Sequence, residues 1–239
     1  MMFNPNPLIQ RVPIGGGAEC LVIDNFLSDP QQMVAEAVAG RAAFSANPAY
    51  AYPGIEKKMT PEFDQCFEEY FARHLKQPFD ARSTAGVNTR MSIVTLRPEE
   101  LNPQQRICHR DAHNCPEGEG ACAAVLYLFG DARLGGTSFY RPLVSPDEID
   151  FLLHQVKLLD GAAFTKVLGV PPEYFNSANR YFERTATIPA AWNRAIFYDA
   201  TIFHSGQIDA PELLNPDPAK GRLTVNAFLR YRKYAAENN

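Results

Sequence analysis

From residue 87 to residue 230 the apolar residues recur mostly with the two-residue period of extended chain, in short runs cut by Gly, Pro and Asn. Side chains on a strand alternate between its two faces, so such runs bury their apolar faces by stacking sheet on sheet. Many short strands joined by Gly and Pro turns lead to a sandwich or jelly roll. The last run shows the pattern best. In Arg222-Leu223-Thr224-Val225-Asn226-Ala227-Phe228-Leu229-Arg230 the odd positions are all apolar, while the even ones are mostly polar with an arginine at each end. Residues 91–96 form a similar strand closed by Arg97-Pro98, and residues 121–129 are so apolar that burial on both faces is expected. Further strands are expected at 185–188, 193–197 and 201–207, with Asp199-Ala200 as a turn.

Helices are expected around this β region. Ser28-Asp29-Pro30-Gln31 has the form of a capping box, opening a helix through Val34, Ala35 and Val38 that ends near Gly40. Thr60-Pro61-Glu62 opens a second, with Phe63, Phe67, Tyr70 and Phe71 on one face and His74 near its C-terminus, where a cation complements the helix dipole. Residues 145–183 break the strand period. Ser145-Pro146-Asp147-Glu148 is again a capping box, Ile149, Leu152, Leu153, Val156 and Leu159 keep helical spacing, and Tyr174, Phe175, Tyr181 and Phe182 follow. This insertion either folds over a site as a lid or packs on the body; His154 falls off its apolar face. Residues 1–17 read as irregular, residues 44–58 (Phe44, Tyr50, Tyr52, Pro53) and 98–106 as loops, and a strand is expected over 20–26. Gly15-Gly16-Gly17 lacks the Lys-Ser/Thr of a phosphate loop and reads as a turn.

The expected whole is one domain over 1–239. It is mainly β with flanking helices: an N-terminal strand and helices over about 18–80, a jelly-roll core over about 86–232, and the helical insertion over about 145–183. A net charge of −4 argues against a nucleic-acid partner, since no broad basic surface is available. The five cysteines contain no C-x-x-C pair and fit a reduced, cytoplasmic protein. The N-terminus lacks the pattern of a signal peptide, and no apolar run is long enough to span a bilayer, so no membrane association is expected. A homodimer is left open.

Chemistry concentrates at Ile107-Cys108-His109-Arg110-Asp111. Residues two apart on an extended chain point to one side, so His109 and Asp111 can address one point in space. An imidazole and a carboxylate make two-thirds of the 2-His-1-carboxylate face that suits non-haem Fe(II) and leaves positions open for substrates. His204, closing the apolar run in Ile202-Phe203-His204-Ser205-Gly206, is the candidate third ligand. His113 offers a competing reading. On a helix, His109 and His113 would have the i, i+4 spacing of a zinc pair, but the extended context and the Gly- and Pro-rich loop that follows oppose it. On the last strand, an inward arginine requires an anion, because an unpaired buried charge is very costly. A carboxylate fits the guanidinium fork. Arg222 and Arg230 are roughly 26 Å apart at about 3.3 Å per residue, so they cannot share a small anion, and Arg222, nearer His204 in sequence, is preferred.

Taken in order, His109-Arg110-Asp111, Val125-Leu126-Tyr127-Leu128, Gly135-Gly136-Thr137-Ser138-Phe139, the segment 193–199, His204-Ser205-Gly206 and Gly221-Arg222 resemble the Fe(II)- and 2-oxoglutarate-dependent dioxygenases, their prolyl-hydroxylase-like branch above all. The resemblance spans residues 91–230. It implies a double-stranded β-helix, a jelly roll with the metal at its open end, and Fe(II) held by His109, Asp111 and His204. It also implies 2-oxoglutarate and O2 as co-substrates, with Arg222 on the distal carboxylate of 2-oxoglutarate. Tyr127 stands where several members place a hydroxyl on that carboxylate, and Thr224 and Asn226 share Arg222's face. Asp111 points to hydroxylation, since members that halogenate lack this carboxylate. The sequence departs from the family pattern in the long His204-to-Arg222 spacing, which leaves Arg230 as the fallback, and in the size of the helical insertion. The resemblance does not name the substrate: a peptidyl side chain, an amino acid and a small metabolite all fit. Two other classes remain open on the same residues, a cupin-like hydrolase or isomerase using zinc or manganese and a non-catalytic jelly-roll binding module.

Overall fold

The computed structural model describes residues 2–47 and 51–234. Two antiparallel sheets face each other. The larger has seven strands: β1 (Ile9–Gly15), β2 (Ala18–Ile23), β3 (Gly54–Lys58), β4 (Ala81–Val94), β5 (Glu119–Tyr127), β8 (Arg194–Asp199) and β10 (Leu223–Lys233), in the order β1-β2-β8-β5-β10-β4-β3. The smaller has three, β6 (Thr137–Pro142), β7 (Phe182–Ile188) and β9 (Phe203–Gly206), in the order β7-β6-β9. An isolated antiparallel bridge between His109 and His204 adds the segment around His109 beside β9. After β4 the chain crosses to the small sheet at His109, returns for β5, crosses for β6 and β7, returns for β8, crosses for β9 and returns for β10. This winding is the double-stranded β-helix of a jelly roll.

The alternation along β10 produces the layering. Leu223, Val225, Ala227, Leu229 and Tyr231 join one hydrophobic cluster with the buried face of α2 (Pro61–His74). Phe63, Phe67, Tyr70 and Phe71 of that helix lie against the outer face of the large sheet, with α1 (Pro30–Ala39) beside them. A second cluster fills the space between the sheets, around Tyr127, Phe139, Ile196 and Tyr198. A third lies outside the small sheet. There α3 (Pro146–Leu158) and α4 (Gly161–Leu168) bury Ile149, Leu152, Val156 and Phe164 against Tyr140, Phe182 and Phe203. The insertion is therefore packed on the body through its own apolar core.

Several expectations need correction. Residues 1–17 are not irregular throughout: β1 runs through them and pairs with β2 across the Gly15-Gly16-Gly17 turn, whose three residues all have positive φ. Residues 44–58 are not all loop, since Gly54–Lys58 forms β3; Tyr50 lies outside the described residues. Both missed strands are sheet edges. An edge tolerates Pro13 and carries charge such as Lys57 and Lys58, so neither shows the alternation of an interior strand. The first helix is capped by Asp29, which accepts from the Gln32 N–H, rather than by Ser28. The polar segment 98–106 contains two short 3-10 turns. β10 starts one residue later than expected, leaving Arg222 just before it.

Phe71 is fully buried where α2 meets the sheet, against Tyr231. Phe71→Ala is expected to lower unfolding free energy by about 3–5 kcal/mol, read from urea denaturation.

Candidate metal centre

His109 and His204 are locked by a reciprocal pair of main-chain hydrogen bonds: His109 N–H donates to His204 O (3.0 Å) and His204 N–H to His109 O (2.9 Å). Such a bridge places the two side chains as direct cross-strand neighbours, and the imidazole centroids are 4.4 Å apart. Asp111, two residues along, is held by its N–H donating to Ala200 O at 3.0 Å. Its carboxylate faces both rings, with Oδ1 3.6 Å from His109 Nε2 and Oδ2 3.2 Å from His204 Nε2. Neighbouring ligands on one cation at bonds of about 2.1 Å lie about 3 Å apart. His204 Nδ1 lies 2.9 Å from Ile202 O. A carbonyl only accepts, so Nδ1 carries a proton, and Nε2, once it gives up its own, is the atom turned toward the site. The structure thus brings together the three side chains singled out from sequence. His113 is exposed and does not join them.

The electrostatics of the three differ. Burial, reinforced by His204, pushes the His109 imidazole down to about 4. Burial alone would lower His204 too, but the Asp111 carboxylate outweighs it and holds the imidazole above its ordinary value. Burial would raise Asp111, yet the imidazoles keep its carboxyl below the usual range, His204 foremost. Near neutral pH the site therefore presents a carboxylate and a neutral His109. Cys108, beside His109, is fully buried, and burial pushes its thiol well above the ordinary value.

The triad opens into a cavity of about 850 Å³ between the sheets. Arg222, only 4% exposed, lines it. Its Nε donates to Leu134 O (2.9 Å) and Nη2 to Gly136 O (2.7 Å), which fixes the guanidinium near the rings of Tyr127 and Phe129. No carboxylate among the described residues pairs with it, and part of its five-donor fork remains unused. Tyr52 lines the same cavity. Its hydroxyl is buried with no properly oriented partner, although Thr224 and Ser92 lie alongside. Burial raises its phenol well above the ordinary value, with Arg222 the main opposing influence. A fixed, unneutralised cation beside an orphaned hydroxyl fits a bound carboxylate, which accepts from both.

The remaining predicted residues are placed as follows. Tyr127 is fully buried with its hydroxyl 2.8 Å from Thr137 Oγ1, and Thr137, not Tyr127, lines the cavity. Thr224 is also fully buried, with Oγ1 at 3.4 Å from Ser92 O. Asn226 lines the cavity and donates to Ser92 Oγ at 3.0 Å. Arg230 is exposed at the rim. Sequence reasoning missed Tyr52, which it left in a loop, and Arg90, which pairs with Glu56 in the cavity wall at 3.5 Å. The alternation of β4, whose Arg90 stands opposite Asn226, is the signal that could have found Arg90.

Residues 5–229 match a family described as a family of unknown function, DUF6445. None of the curated proteins matches the sequence. Solved structures with a similar course of chain include a Pseudomonas putida prolyl-4-hydroxylase, with 12% identity, 90% of this chain and 93% of that chain covered, and a TM-score of 0.46. HygX from Streptomyces hygroscopicus, with nickel and 2-oxoglutarate bound, has 10% identity, 90% and 83% coverage and a TM-score of 0.46. The alpha-ketoglutarate-dependent epimerase SnoN from nogalamycin biosynthesis has 15% identity, 92% and 82% coverage and a TM-score of 0.44. These are distant likenesses.

Metal uptake must displace the proton that Asp111 favours on His204. As pH falls below the raised His204 value, the apparent Kd for Co(II) or Ni(II) is expected to rise about tenfold per pH unit. The dependence steepens near pH 4, where His109 also protonates; competition titration across pH 4–8 reads this. Gly135 has φ 74° and a Cβ there would lie 1.6 Å from Gln207 O, so Gly135→Ala is expected to displace the Leu134 and Gly136 carbonyls that hold Arg222. Calorimetry should then show weaker 2-oxoglutarate binding with metal affinity retained.

Proposed function

The chain belongs to the DUF6445 family, and we propose that it is a Fe(II)- and 2-oxoglutarate-dependent oxygenase that hydroxylates its substrate. One observation carries this reading: a two-histidine, one-carboxylate face and an unneutralised buried arginine line one cavity. That ligand set suits Fe(II) with open coordination positions, and the arginine calls for an anionic co-substrate. The order of motifs along the sequence supports it as well.

His109, Asp111 and His204 would hold Fe(II), and Arg222 with Tyr52 would hold the distal carboxylate of 2-oxoglutarate. Bound iron would supply activation of O2 coupled to oxidative decarboxylation, with 2-oxoglutarate, O2 and substrate giving succinate, CO2 and hydroxylated product. The chain's own work is positioning. Ile202 O keeps the His204 proton on Nδ1 and so keeps Nε2 available. The Leu134 and Gly136 carbonyls fix Arg222, so an anion meets a preset fork. Tyr198, buried with its ring edge-on to His204 at 4.8 Å, and Phe139 behind it keep water from the inner side of the ligands.

Protein supplied with Fe(II), O2 and 2-oxoglutarate is expected to release succinate, and Asp111→Ala to abolish this. Arg222→Gln is expected to raise the KM for 2-oxoglutarate by about tenfold or more, and Tyr52→Phe by less. Tight zinc or manganese with no binding of 2-oxoglutarate would overturn the reading in favour of a metal hydrolase or isomerase.

A further inference from the structure

The cavity has a second wall, on the other side of the ligand segment. Arg110 alternates with His109 and Asp111, so its side chain leaves the backbone on the opposite face. Phe203 alternates with His204 in the same way, and the Arg110 guanidinium lies 4.6 Å from its ring. Arg110 lines the cavity together with Leu153, Val156 and Lys157 of α3. Among the described residues nothing accepts a hydrogen bond from Arg110 or pairs with its charge, and its Nε is shut off from solvent with no acceptor. Arg90, by contrast, is tied to Glu56 and Asn88. Leaving a buried Nε–H unmet is costly. Stacking on an aromatic face strips water from the plane of the group and leaves its edge for an oxyanion. Lys157 brings a second positive charge to the same wall from the insertion. This wall is distinct from the Arg222 site, whose neighbours Phe129 and Leu134 belong to the core between the sheets, whereas Phe203 belongs to the core beneath the insertion.

We propose that Arg110 and Lys157 bind an oxyanion, a carboxylate or a phosphate, carried by the molecule that is oxidised. The inference rests on the oxygenase reading for the role of that molecule, but the anion site itself does not. One strand segment then serves both partners, with metal ligands on one face and the substrate's charged end on the other. The helical insertion supplies part of the substrate site in addition to packing on the small sheet.

The test follows the Arg110 Nε–H resonance by NMR in protein loaded with Zn(II) and 2-oxoglutarate. Acetate and phenyl phosphate are titrated in, with acetamide as the uncharged control. A saturable shift with an anion and none with acetamide is expected. Anion affinity, read in the variants by calorimetry, should fall about tenfold in Arg110→Gln and by a smaller factor in Lys157→Gln. Whichever anion binds more tightly identifies the group. No saturable shift, or equal anion affinity in Arg110→Gln, overturns the proposal. Should Arg110→Gln fail to fold, the wild-type resonance and Lys157→Gln, at an exposed helical position, decide it. Failure to load 2-oxoglutarate sinks the oxygenase reading alone, because the same titration on metal-free protein still reports on Arg110.

Discussion

Two main-chain hydrogen bonds between His109 and His204 hold the site together. The two residues are far apart in sequence, and neither the short β9 nor the segment before Asp111 would position a ligand by itself. The reciprocal bridge turns them into a cross-strand pair, and the strand period then brings Asp111 to the same side. The jelly-roll winding brings the His109 segment alongside β9. The flanking clusters beneath α2 and α3 make that placement rigid.

The second constraint is charge without a partner. Arg222 is fixed by carbonyls rather than by a carboxylate, so its position is specified while its charge is not neutralised. Carbonyl acceptors leave the net charge intact, which an acidic partner would cancel. A guanidinium prepared in this way is stable in the free protein only at some cost, which an anion entering the cavity would relieve. The same logic applies on the other face of the ligand segment, where an aromatic ring takes the place of the carbonyls.

What was legible in the sequence follows from where alternation is strict. β10, by its alternation, and β5, by its unbroken apolar run, lie inside the sheet and are legible; the strand period sets His109 and Asp111 on one side, while only the extended context sets aside the helical reading with His113. β1 and β3 are not legible, because an edge strand needs no continuous apolar face. Tyr52 was hidden for a different reason. It comes from a loop whose position against Arg222 is set by the β3–β4 pairing, and no local pattern encodes that. Tyr127 was placed in the right strand, but its depth, with the hydroxyl engaged by Thr137, depends on packing from β6. Arg110 carries no signal of its own in the sequence, and the Phe203 ring beneath it is what distinguishes it.

The burial of Cys108 bears on which ion this centre selects. A thiolate next to His109 would soften the donor set and draw in zinc or copper. With that sulfur protonated and packed in the core beneath the insertion, the ligand-type atoms that converge at His109, Asp111 and His204 are nitrogen and oxygen alone. Were a divalent ion held there, the choice among ions would depend partly on a residue that never touches it.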